Sequence, residues 1–136
     1  MNYPRAALAA FVAMIAFFAI GFLGEGWLFR SHFGPSQGVY RSAEQMQRLM
    51  PIGAAALFLA LLVLVAIYAR WAGARSDAWS GLQFGLLLGM IVVCIHPIPN
   101  LLTMNLETKL GLEVAASTFV QWVVIGLVFG LTYKPS

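Results

Sequence analysis

The sequence predicts an all-α integral membrane protein, a bundle of four transmembrane helices with a proline-broken third helix. Three observations carry that prediction. Hydrophobic residues make up 61% of the 136 residues and charged residues only 10%, against about 25% charged in an ordinary soluble domain. A chain this short cannot hide so much apolar surface in a core of its own, and a bilayer supplies the missing environment. The few charges also cut the sequence into four apolar runs, each as long as the roughly 20 residues a helix needs to cross a membrane. No run alternates polar and apolar residues, which argues against a membrane barrel.

The first run, Ala6 to Gly24, lies between Arg5 and Glu25. It exceeds the roughly 7–15 residues of a signal-peptide core, and no A-x-A cleavage site follows it, so it reads as an anchor spanning about 6–29. Ser31 to Arg48 is the one substantial loop, broken by Gly-Pro and Gln-Gly, with Ser42 and Gln45 spaced as a capping box. Leu49 to Ala69 supplies the second span, 49–69. In the tight connection "RWAGARSDAW", Ser76 or Asp77 can cap the helix that follows. The third run, Ala78 to Leu106, holds no Asp, Glu, Lys or Arg and is too long to be only a span, so its crossing is placed at 79–102. Val114 to Tyr133 gives the fourth span, about 112–133, and the whole of 1–136 forms one membrane domain.

In lipid, apolar area does not drive helices together, so close backbone approach matters more. Gly81, Gly85 and Gly89 form a small-residue stripe on the third span; Gly126 and Gly130, with Gly111 and Ala115 before them, form one on the fourth. Ala9, Ala13 and Gly21 do the same on the first. These stripes predict tight contacts within the bundle or between protomers. Trp27, Trp71, Trp79 and Tyr68 near span ends fit an interfacial aromatic belt, whereas Trp122 lies deeper. Arg5, Arg70, Arg75 and Lys134 fall on one side of the membrane, and Arg30, Arg41, Arg48 and Lys109 on the other. That tie leaves orientation to the acids: Glu25, Glu44, Glu107 and Glu113 lie on the second side, a mild preference for both termini in the cytoplasm of a bacterial inner membrane. The net charge of +3 is spread without a basic run, so no nucleic-acid partner is expected.

Within the third run, "CIHPIPN" (94–100) is the polar exception. At about 100° per residue, His96 returns to the face of Gly85 and Gly89 and is expected to point into the bundle. Pro97 and Pro99 lack N–H groups and free the carbonyls of Val93 and Ile95, which must find donors at membrane depth. His96, Asn100 and Thr103 are the donors at hand. The segment should therefore kink or end the third helix. Around that end gather Glu25, His96, Asn100, Glu107, Glu113 and Gln121, a candidate polar or ligand site. Ionisable groups near the apolar layer are costly, about 2.5–3.5 kcal/mol at its centre, and mark function by default. A purely structural account fits too: Glu25 facing headgroups or Arg30, His96 bonded to a freed carbonyl, Glu107 and Glu113 bracketing Lys109. His32 and His96 lack any metal or haem spacing, so no metal and no cofactor is expected. The single cysteine, Cys94, is expected to be buried and inert, and no catalytic constellation is present.

The stretches "GFLGEGWLF", "GLQFGLLLGM" running to "NLLTMNLETKLGLEV", and "WVVIGLVFGLTY" together resemble a bacterial family of small four-helix membrane proteins without assigned chemistry. Gly24 and Glu25 stand where that family has Trp-Tyr. The resemblance implies architecture only. Two functional classes remain: an accessory or scaffold subunit docked through its glycine-lined helices, as a homo-oligomer or within a larger membrane complex, or an oligomeric carrier or channel-like protein with a polar site at one membrane face. Nothing in the chain argues for an enzyme.

Overall fold

The computed structural model describes residues 1–24, 43–103 and 108–135. The described residues form five helices and no strand: α1 (Tyr3–Gly21), α2 (Ala43–Ala72), α3 (Ala78–Ile95), α4 (Pro97–Thr103) and α5 (Thr108–Thr132). Four segments are long and apolar enough to cross a membrane: Tyr3–Gly24, Glu44–Ala72, Ala78–Thr103 and Thr108–Thr132. The third is α3 and α4 together, bent at His96, so the proline break falls where the missing N–H groups place it.

Local chemistry sets the helix ends. Asn2 caps α1 by accepting from the N–H of Arg5 at 3.3 Å, with Pro4 in the first turn. Gly73, at φ 57°, ends α2 in the left-handed conformation that glycine adopts without a Cβ clash, and its N–H returns to Ala69 O at 3.1 Å. Asp77 caps α3 reciprocally with Ser80: the Ser80 N–H donates to Asp77 Oδ1 at 2.8 Å, and the Asp77 N–H donates to Ser80 Oγ at 3.0 Å. Of the two capping candidates in the connection, Asp77 takes the role and Ser76 is used elsewhere. α2 starts before the expected 49, carrying Glu44 and Arg48 in a helical ion pair at 2.7 Å. Charges end an apolar run without ending a helix. At 30 residues and about 1.5 Å per residue, α2 is longer than the ~30 Å hydrocarbon layer.

α5 is the centre of the bundle. α3 packs along one side of it and α1 along another, while α2 leans mainly on α1. The α3–α5 seam is made by the two glycine stripes meeting each other. A Cβ at Gly81 would lie 2.5 Å from Gly126 O and 2.8 Å from Gly130 Cα; one at Gly85 would lie 2.5 Å from Val123 O. Gly89 meets Phe119, and Gly126 and Gly130 face the backbone of Gly85, Gly81 and Asp77. Only residues without a side chain allow backbones this close. The seam is filled from within the chain, so these glycines are not a surface on which a partner can dock. Gly111 lies instead under the Leu101 side chain of α4.

On α1, Ala6, Ala9, Ala10 and Ala13 are buried and join Leu61, Val65 and Tyr68 of α2 with Phe84, Ile125, Phe129 and Tyr133 in one core. That core lies toward the end where both termini and the 73–77 turn meet. At the other end α2 stands off α1, leaving a groove of about 440 Å³ lined by Phe17, Phe18, Met46, Leu49, Met50, Gly53, Ala54 and Leu57. A Cβ at Gly53 would meet nothing within 4 Å. Pro51 sits inside the helix at this level, removing the N–H that Gln47 O would accept.

Candidate functional site

Opposite its glycine seam, α5 carries Glu113, Ser117 and Gln121, spaced four residues apart so that they line up along the side facing the end of α1. Gln121 is buried, 7% exposed, and its Nε2 donates to Phe17 O of α1 at 2.7 Å. Gly21 lies across from it: a Cβ there would be 3.2 Å from that nitrogen, so the amide would have to shift slightly to admit one. Beyond Gly21 the helix continues as a π-turn through residues 22–24, and Phe22 N–H reaches both Phe18 O and Ala19 O. Wide turns of this kind rearrange the carbonyl ladder and often occur at functional positions.

Two recesses flank this line. One, of about 300 Å³, is bounded by Phe17, Phe18, Gly21, Phe22 and Gln121. The other, of about 380 Å³, lies between Ile20, Leu23 and Gly24 of the α1 end and Glu113, Ala116, Ser117 and Val120 of α5. Glu113 is half-buried, with its Oε2 wholly covered. The cleft is apolar almost throughout, and Glu113 and Ser117 line it mainly with carbon atoms.

The structure divides the expected polar cluster. Glu113 and Gln121 share the α1-facing side of α5, and Ser117 between them escaped the sequence reading, although its spacing of four from each was available. Glu25 and Glu107 lie outside the described residues, as do His32, Asn105, Ser42 and Trp27. His96 does not point into the bundle. It is exposed, at φ −116° and ψ −72°, where α3 ends, and the buried neighbour is Pro97. The extrapolation from Gly89 fails because the chain leaves helical geometry at position 96. Asn100 Nδ2 approaches His96 Nε2 at 3.4 Å, and Thr103 Oγ1 donates to Pro99 O at 3.0 Å. Their bonds therefore run to one another and to Pro99, not to the carbonyls of Val93 and Ile95. Cys94 is exposed on the helix surface instead of buried. Among the described residues no group of His, Cys, Asp and Glu is placed to hold a metal.

A second polar assembly, unforeseen from the sequence, lies at the opposite end. Tyr68 Oη is 2.9 Å from Ser80 Oγ and 3.2 Å from Ser76 Oγ. Ser76 Oγ donates to Tyr133 O at 2.6 Å and Ser80 Oγ to Arg75 O at 2.7 Å. Both serine protons are thus committed, so the single Tyr68 hydroxyl proton goes to a serine oxygen, of which Ser80 Oγ is the nearer. Lys134 Nζ donates to Ser76 O at 3.0 Å and Gly130 O at 3.2 Å, where a cation also suits the C-terminal end of α5. Asn2 N–H reaches Tyr133 Oη at 3.4 Å. Tyr68 is sealed by Trp71, Phe84, Phe129 and Tyr133 at centroid distances of 5.3–6.4 Å. Every hydroxyl in this knot is satisfied, which fits a fastening and not a reacting centre.

Asp77, at the edge of the knot, is held below the usual carboxylate range by the Ser80 N–H and hydroxyl, with a smaller contribution from Lys134. No family model, curated protein or solved structure matches the chain. Its own residues show a multi-pass membrane protein: four apolar crossings, one end fastened by hydrogen bonds and the other opening into an apolar groove and an apolar cleft.

Proposed function

We propose that the chain is an accessory or scaffold subunit of a membrane assembly. The observation that supports this is the position of α2. Its later half joins the core through Leu61, Val65 and Tyr68, with Phe58, Leu62, Leu64, Ala69 and Ala72 packed against it, while its earlier half leaves the Phe17–Leu57 groove open. Gly53 and Ala54 let another backbone approach the groove floor, and the groove is formed along two helices, which suits a partner's membrane-spanning helix. The docking surface is then this groove and not the glycine seam. Both termini are assigned to the cytoplasmic side of a bacterial inner membrane, in keeping with the acids on the opposite face.

Native mass spectrometry of protein gently extracted from its own membrane tests the reading. A complex of fixed stoichiometry should appear for the wild type and be lost in Gly53→Phe, while the Gly53→Phe monomer keeps its SDS-unfolding midpoint. A bare monomer in both samples would reject the subunit role.

The Glu113–Ser117–Gln121 line supports a second reading, an oligomeric carrier with a polar site at one membrane face. Glu113→Gln should then abolish uptake of a polar or cationic solute into proteoliposomes without altering assembly, and unchanged uptake would remove it.

A further inference from the structure

The end of the bundle that holds the hydroxyl knot also collects cations. Arg5 lies in the first turn of α1, Arg70 in the last turn of α2, Arg75 in the 73–77 turn and Lys134 just past α5. Hydrogen bonds tie their backbones and neighbours to one face. Arg75 O accepts from Ser80 Oγ, Lys134 Nζ donates to Ser76 O, and the Arg5 N–H donates to Asn2, whose own N–H reaches Tyr133 Oη. Asp77 is the one acid among the described residues at this end, and its carboxylate is engaged by the Ser80 N–H. Arg5, Arg70 and Arg75 are exposed, and among the described residues none of them forms an ion pair. The opposite end differs: Arg48 there is paired with Glu44 at 2.7 Å.

An anion is the complement of this face, and the aromatic residues around the α2–α3 turn narrow the choice. Trp71 directly follows Arg70, and Trp79 follows Arg75 by four residues; both indoles are exposed. The Trp71 ring lies 6.4 Å from Tyr68 and 5.8 Å from Phe84, so the bundle holds it in place while leaving it open outward. Indole rings settle at the level of lipid headgroups, with an apolar body and a polar N–H. That places the neighbouring guanidinium groups near the phosphate layer, and their planar fork matches phosphate oxygens. A small inorganic anion would use the arginines and gain nothing from the indoles. A zwitterionic lipid brings a phosphate already balanced by its own cation. An anionic phospholipid satisfies both parts.

We propose that the α2–α3 turn binds anionic phospholipid, with Arg70 and Arg75 donating to headgroup phosphates, Trp71 and Trp79 bracketing the glycerol region, and Arg5 and Lys134 adding attraction from the neighbouring helices. The inference goes beyond both the subunit and the carrier readings and depends on neither. It agrees with the assignment of both termini to the cytoplasmic side, where the leaflet carries a negative surface potential.

The test is lipid retention. The purified full chain is placed in nanodiscs of phosphatidylglycerol and phosphatidylcholine in equal parts, and native mass spectrometry counts each lipid that stays bound. Wild type should retain phosphatidylglycerol in preference, and the preference should weaken as salt rises, because the arginines are exposed. One basic residue at an anionic surface is worth about fivefold in binding. Arg70→Gln and Arg75→Gln should therefore each lower the preference about fivefold, and the double variant should bring it close to parity. Both side chains are exposed, so the SDS-unfolding midpoints should not move, which separates lost binding from lost fold; the single variants decide the matter if the double variant does not fold. Arg48→Gln makes the same change at a paired arginine on the opposite end, and its preference should stay within about twofold of wild type. Equal retention of the two lipids by wild type, a preference unchanged in the Arg70 and Arg75 variants, or an equal loss in Arg48→Gln would overturn the proposal.

Discussion

Gly85→Ala measures how much of the bundle depends on backbone meeting backbone. A Cβ at position 85 lands 2.5 Å from Val123 O and 2.9 Å from Val123 Cα. Comfortable separation is roughly 3.5–4.0 Å, so α3 and α5 must part or shear by about 1 Å. The atoms in the way belong to a helix backbone and cannot swing aside as a side chain would. A gap of roughly 0.5–1 Å forfeits about a quarter to a half of the attraction across it, and the loss would extend along the whole seam. Overpacking of this kind costs about 1–3 kcal/mol. Gly53→Ala is the matched control, since a Cβ there meets nothing within 4 Å. Unfolding by SDS in mixed micelles is the suitable assay. Separated helices stay helical in apolar surroundings, so alanine's ordinary propensity advantage largely cancels. Gly85→Ala should lower the unfolding free energy by about 1–3 kcal/mol, and Gly53→Ala should stay within about 0.5 kcal/mol of wild type. Coincident midpoints for the two variants would show that the glycines do not hold the seam.

The hydroxyl knot makes an ordered prediction: in the same assay Ser76→Ala, which strands Tyr133 O, should cost about 1–3 kcal/mol, and Tyr68→Phe, which strands no donor, about 0.5–1.5 kcal/mol. The reverse order would contradict the donor assignment. Asp77 has a folded pKa below its ordinary 3.8, so its stabilising effect is complete above that value and is lost as pH falls through the lower, folded one. Wild type should therefore lose stability in that acidic window relative to Asp77→Asn, which keeps a capping oxygen but does not titrate. Parallel acid profiles would count against it.

How much of this could be read from the chain depends on the range of the signal. Gly81, Gly85 and Gly89 and their counterparts Gly126 and Gly130 were legible because small residues four apart state both a helix face and a need for closeness. That the two stripes face each other within one molecule was not, since spacing on one helix does not name its neighbour. Pro97 and Pro99 located the bend, because a missing N–H is a local fact. The direction of His96 was lost there, since a face extrapolated through a broken helix has no meaning. Ser76, Ser80, Tyr68 and Tyr133 carry no motif at all: the knot exists only when the 73–77 turn, α2 and the end of α5 arrive at one place. Ser117 failed for a smaller reason, since one hydroxyl among apolar residues draws no notice until Glu113 and Gln121 flank it in space.

The uneven fastening of α2 has a mechanical consequence. Near the knot the helices are tied by hydrogen bonds and interlocked rings, while near Met46 and Phe18 only lipid-like surfaces face each other across open space. Among the described residues, the helices therefore stand closer together in one leaflet than in the other. Packing pressure in that leaflet alone pushes α2 toward α1, and thinning or bending of the leaflet lets it swing out about the Tyr68 end.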